Sequence, residues 1–149
     1  MALTIAATVE EACRAVVSES AQAFLEDRTI DGLQRAAEPN RRRALLERLR
    51  RWHGERAKWV LSAWLDVWLS PHFADWSLAP VLPRVTCPVL AIHGDRDEYG
   101  STRFPEFIRD RAGGPAELAI LPDCGHVPHR ETPEAVLQLV ADFVDRHDA

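Results

Sequence analysis

The sequence predicts an α/β fold in which three short parallel strands carry a helical insertion between the first strand and the second. Three observations point to it. Residues 14–18, 88–93 and 117–121 are short apolar runs bounded by Gly, Pro or charge, the pattern of strands buried in a parallel sheet. Ala135, Val136, Leu139, Val140, Phe143 and Val144 fall on one stripe at the 3.6-residue period, an amphipathic helix. The stretch between the first two runs is too long for a simple crossover, so residues 29–80 read as a subdomain inserted into a core formed by residues 1–28 and 81–149.

Composition agrees with a folded domain and excludes several classes. The chain has 149 residues, 46% of them apolar and 28% charged, which is enough to bury one core and too apolar for a disordered or collagen-like chain. No stretch reaches the ~18–20 apolar residues of a membrane span, and Met1–Ala7 lacks the basic flank of a signal peptide, so a cytoplasmic protein without membrane contact is expected. Three cysteines, Cys13, Cys87 and Cys124, stand far apart with no C-x-x-C pair. Reduced, mostly buried thiols are expected rather than a disulfide framework or a zinc knuckle. The net charge of −5 lies wholly in residues 78–149.

The first run, Arg14 to Ser18, leads into Glu19 and Ser20 at its carboxyl end. In the insertion, Leu45, Leu49 and Trp52 recur 4 and 3 apart among Arg41, Arg42, Arg43, Arg48, Arg50 and Arg51. In an acidic chain, arginines around an apolar stripe read as a solvated helix face, and no nucleic-acid partner is expected. Trp59, Trp64, Trp68 and Trp76 crowd into 18 residues, with Phe73 among them. Spacings of 5 and 4 bring the first three close to one helix face, where they pack the insertion or wall an apolar pocket. Trp64, Trp68 and Trp76 are the pocket candidates.

The second run, Pro88 to His93, opens into a glycine turn, Gly94-Asp-Arg-Asp97-Glu-Tyr-Gly100, with four ionisable side chains at the carboxyl end of a parallel strand. Open α/β sheets build their sites at that end. A helix and the third run, Glu117 to Leu121, follow, in a right-handed βαβ arrangement. The loop Pro122 to His129 shows no helical or strand periodicity and presents His126 and His129 at the same edge. Thr132 and Pro133 then start the terminal helix. A carboxylate bonded to one imidazole nitrogen fixes the tautomer and stabilises the imidazolium, as a general base in acyl transfer requires. Asp97 is the first candidate acid, Asp95 and Glu98 the next. Cys124-x-His126-x-x-His129 has a metal-like spacing, but it lies in a proline-interrupted loop without a fourth ligand, and no metal or cofactor is expected.

Pro88-Val-Leu-x-Ile-x-Gly-x-x-Asp97 and Pro122-x-x-Gly-His-x-Pro-His-x-x-x-Pro-Glu-Ala135 together resemble the α/β-hydrolase superfamily over most of the chain. The resemblance implies an incomplete α/β-hydrolase fold holding the family's strands six to eight, with residues 29–80 as the helical cap. It implies Asp97 as triad acid and His126 as triad base, with Glu19 as a weaker alternative acid, since some relatives place the acid after strand six. The family's nucleophile sits on a G-x-S-x-G elbow. None of Ser18, Ser20, Ser62, Ser70, Ser77 and Ser101 has glycine at both −2 and +2, and Ser20 is expected to lack the strained turn that exposes an elbow serine. Met1–Ala7 resembles the helix that follows the elbow, so the sequence reads as beginning just after the missing nucleophile.

The expected function is therefore the C-terminal part of a Ser-His-Asp hydrolase acting on a small, apolar ester, amide or carbon–carbon substrate and inactive alone. A non-catalytic ligand-binding or interaction module and one half of a split hydrolase are the alternatives. The first strand would expose unpaired backbone groups on its outer side, a template for another chain. The expected outcome is self-association, or stability only with a complementing N-terminal fragment. Light scattering on a sizing column at micromolar concentration checks this, and a cooperatively unfolding monomer contradicts it.

Overall fold

A computed structural model of the chain describes residues 1–9 and 12–147. Three strands, β1 (Val16–Glu19), β2 (Val89–Gly94) and β3 (Ala116–Leu121), pair in parallel in the order β1-β2-β3. All six residues of the central strand β2 are buried, whereas the edge strand β1 alternates between buried and half-buried positions and the edge strand β3 buries Leu121 alone. The expectation of three fully buried strands thus holds only for the central one. The observed β1 starts two residues later than the apolar run, where the Val16 N–H donates to the Pro88 carbonyl at 2.8 Å. Pro88 has no N–H to give, so β2 begins at Val89.

The strand pleat divides the side chains between two faces. On one face Val17, Leu90, Ile92, Ala119 and Leu121 pack with Val136, Leu139, Val140 and Phe143 of the terminal helix. On the other, His93 meets Phe104 edge-on at 6.3 Å between ring centroids. Phe104 and Ile108 are the buried side of the helix joining β2 to β3, Arg103–Arg111. The amino-terminal helix α1 (Ala2–Val9) buries Leu3, Ala6 and Ala7 and packs on β1. In the terminal helix, Pro133–His147, the buried stripe is narrower than its periodicity predicts: Ala135 and Val144 are exposed, while Val136 and Phe143 are buried. One sheet strand and its neighbours offer a contact only about one ridge wide to that helix.

The chain divides into two compact units, Met1–Phe24 with Ser77–Ala149, and Leu25–Trp76. The second unit holds α2 (Asp27–Ala37), α3 (Pro39–His53) and α4 (Ala57–Trp68). Glu38, held extended before Pro39, ends α2, and Gly54 at φ 53° ends α3, a conformation in which glycine carries no Cβ penalty. Leu33, Ala36, Leu61 and Leu65 form this unit's core, with Leu45, Leu49, Trp64 and Trp68 packed against it. Trp52 departs from its expected place on the α3 stripe and is 85% exposed, and Trp59 is exposed as well. Both lie near the α3–α4 turn, past the reach of α2. Among the described residues no helix is long and apolar enough to cross a membrane.

With the terminal helix in order after Arg103–Arg111 (α5) and Pro128–Glu131 (α6), Pro133–His147 is α7. Phe143→Ala should lower unfolding free energy by about 3–5 kcal/mol, because Phe143 is fully buried against the central strand. Leu137→Ala, at a position 71% exposed on the same helix, should change it by less than about 0.5 kcal/mol. Urea titration of both variants is the check, and equal losses would contradict the assigned packing.

Candidate active site

The carboxyl end of β2 has to let a second loop cross it. A β-carbon on Gly94 would overlap the carbonyl oxygens of Cys124 and Gly125, so only glycine fits there. Beyond it, the Asp95 N–H donates to the Leu121 carbonyl at 3.1 Å and the Arg96 N–H to the Cys124 carbonyl at 2.8 Å. These two bonds lay the turn after β2 alongside the loop after β3. Arg96 and Asp123 form an exposed ion pair across the same seam.

Asp97 and His126 meet there. The Asp97 side chain is 1% exposed, and its Oδ2 lies 2.8 Å from His126 Nδ1. Oδ1 accepts the Tyr99 N–H at 2.8 Å. A carboxylate only accepts, so Nδ1 carries the proton and Nε2 of His126 is left as the basic nitrogen. Tyr99 stands edge-on to the His126 ring, 4.9 Å between centroids. Burial is the largest influence on the imidazole and pulls its pKa down. The hydrogen bond and charge of Asp97, aided by Glu98 and Glu131, outweigh it, so His126 titrates above its ordinary 6.5.

Several partners were not legible beforehand. His93, buried in β2, donates from Nε2 to the Gly100 carbonyl at 3.2 Å and lies 3.5 Å from Asp97 Oδ2. Its position at the end of an apolar run was the available signal. Glu131 accepts the Gly125 N–H at 2.7 Å on one carboxylate oxygen and the Val127 N–H at 3.0 Å on the other, bracketing His126. The loop expected to be without regular structure contains α6, because Pro128 starts a helical turn closed by Thr132 N–H to the Pro128 carbonyl.

The remaining candidates take other places. Glu19 does not contact His126. Its Oε1 accepts both the backbone N–H (3.1 Å) and Nδ1 (2.7 Å) of His129, tying α6 to β1. Asp95 contributes through its backbone, and Glu98 only through its charge. Ser20 corrects the expectation of an unstrained turn. Its φ is 46°, an unfavourable conformation for a residue with a β-carbon, yet its Oγ is buried and meets no hydrogen-bond partner among the described residues. The buried Cys124 thiol, its pKa raised by burial first, lies 3.8 Å from the Thr132 hydroxyl. Among the described residues no group of His, Cys, Asp and Glu could hold a metal ion.

In the unit Leu25–Trp76, Trp68 lines a cleft of about 310 Å³ with Leu25, Ile30, Leu69 and Pro71. Trp76 stacks on Phe73 at 5.2 Å and meets Trp68 edge-on, while Trp64 packs into the unit's core, so neither lines this cleft.

Residues 2–139 match the alpha/beta hydrolase family. The chain belongs to that family. No curated protein matches the sequence. Among solved structures, this hydrolase-family chain is similar to a bacterial membrane phospholipase A described as a virulence factor, with 24% identity and a TM-score of 0.74 over 99% of this chain and 54% of that one. It is also similar to NosK from Streptomyces actuosus, with 21% identity and a TM-score of 0.72, covering 99% and 65%. Proline iminopeptidase from Mycobacterium smegmatis matches at 22% identity and a TM-score of 0.62, covering 99% and 62%. The likeness is one of fold, and the chain spans roughly half to two thirds of these proteins.

The pH dependence of the pair follows from its direction. A histidine raised in the folded state contributes stability that is complete below its unfolded pKa of about 6.5 and is lost as pH rises through the folded value. In Asp97→Asn, burial remains and the carboxylate is gone, so the His126 pKa should fall. NMR titration of the imidazole protons reads this directly, and an unchanged pKa would show that Asp97 does not hold the ring.

Proposed function

We propose that Asp97 and His126 are the acid and base of a Ser-His-Asp hydrolase whose elbow serine these 149 residues do not supply. The reading rests on the Nδ1–Oδ2 bond of 2.8 Å between them at the carboxyl edge of a hydrolase-family sheet. In this reading Nε2 of His126 takes the serine proton as the hydroxyl attacks a carbonyl carbon, and later gives it to the leaving group. Asp97 stabilises the imidazolium between those steps. The substrate class is a small, apolar ester, amide or carbon–carbon compound. Trp68 offers an apolar wall within its own unit.

No serine here lies in a G-x-S-x-G elbow, and in this reading the chain alone has no turnover. An oxyanion donor contributes about 2.7–4 kcal/mol to acyl transfer, and the nucleophile more. The test is hydrolysis of p-nitrophenyl acetate by the chain alone and by the chain joined to a polypeptide bearing the elbow serine. The joined protein should turn over, with kcat lower by about 10³-fold or more in His126→Ala and Asp97→Asn. Turnover that survives His126→Ala overturns the base assignment. Saturable, His126-dependent turnover by the chain alone, with a serine-reactive probe on Ser20, overturns the missing nucleophile.

A further inference from the structure

The sheet brings together two cysteines that the sequence separates by 74 positions. Cys13 stands three residues before β1 and Cys87 two residues before β2, and these strands are parallel neighbours with Val16 opposite Val89. The Val16 N–H to Pro88 carbonyl bond, 2.8 Å, fixes the two chain entries side by side. The Sγ atoms of Cys13 and Cys87 lie 3.6 Å apart, in van der Waals contact, and both side chains are half-buried. The two sulfurs are thus already in contact, and closing the bond to about 2.05 Å needs a sulfur movement of roughly 1.5 Å.

We infer that Cys13 and Cys87 are a thiol pair that closes into a reversible disulfide with a low-molecular-weight disulfide, such as oxidised glutathione, as oxidant. Burial first, then the hydrogen bond to Cys13 and its charge, push the Cys87 thiol up to about 11, so Cys87 stays protonated and donates its S–H to the Cys13 sulfur. Cys13 is then the sulfur placed to attack. It gives its proton to solvent and bonds to one glutathione sulfur; the glutathione S–S bond breaks, and the departing thiolate keeps the electron pair and takes up a proton. Cys87 next loses its proton and attacks the Cys13 sulfur of the mixed disulfide, releasing the second glutathione. Two protein thiols are oxidised and one glutathione disulfide is reduced to two thiols.

The bond would link the two stretches of chain that enter and leave the segment Leu25–Trp76, making that whole unit a closed covalent loop. Cys124, buried at the opposite end of the sheet, takes no part and serves as an internal control.

The test is incubation of the full chain with oxidised glutathione, followed by thiol counting after denaturation. Free thiols should fall from three to one, with the Cys13 and Cys87 peptides joined in the peptide map. After limited proteolysis within residues 25–76, the oxidised chain should migrate as one species on a non-reducing gel and as two after reduction. Cys124→Ser should behave as the parent does. Cys13→Ser should fall apart on the non-reducing gel, with its circular dichroism confirming that it is folded. A count that stays at three, glutathione retained on Cys13 without a link to Cys87, or chain-to-chain dimers through Cys13 would each overturn the inference.

Discussion

A side chain on Gly94 would occupy the space through which the Cys124–Gly125 backbone passes, and the carboxyl edge of the sheet is organised around that vacancy. Because the two backbones can touch, the turn after β2 donates to the Leu121 and Cys124 carbonyls, and Asp97 and His126 come to face each other across the seam. The constraint is steric and local, but its effect is electrostatic. It lets a carboxylate be buried with an imidazole and a backbone N–H in place of water, which a lone buried carboxylate could not tolerate.

The His126–Asp97 and His129–Glu19 pairs both sit at this edge, and their surroundings separate them. Glu19 accepts twice from His129, once from its backbone, so it fastens the first turn of α6 to β1. Its side chain is 24% exposed and that of His129 56%, where solvent screens the attraction. Asp97 is buried, its second oxygen is engaged by Tyr99, and Glu131 braces the backbone on either side of His126. The His126 ring is oriented by the Asp97 carboxylate and the Tyr99 ring, while Glu131 holds the backbone on either side of it.

The sequence made the strands and the contact between Asp97 and His126 legible, because runs bounded by glycine and proline report burial and two adjacent motifs report one edge. Other features depend on contacts between distant segments. Glu131 reads as an ordinary helix glutamate until α6 brings it back over Gly125. Cys13 and Cys87 share no motif, and they become neighbours only where the chain enters the paired strands β1 and β2. Trp52 matches a helical stripe perfectly well and is nonetheless exposed, since periodicity marks a face without saying how far the partner helix extends. The conformation of Ser20 is likewise invisible in composition. Its N–H donates to the Ile92 carbonyl, continuing the β1–β2 ladder, and its φ of 46° turns the chain away from β1.

The groups that orient His126 all belong to the span between Gly94 and Glu131: the Asp97 carboxylate, the Tyr99 ring and the two oxygens of Glu131. None of them is a nucleophile or an oxyanion donor. An acid–base pair assembled this way does not depend on the serine it would serve, since the hydrogen bonds that fix its tautomer are already made. On the proposed reading, the cost of burying and aligning the base falls on this segment's folding, and a nucleophile would meet an imidazole whose Nδ1 is already committed.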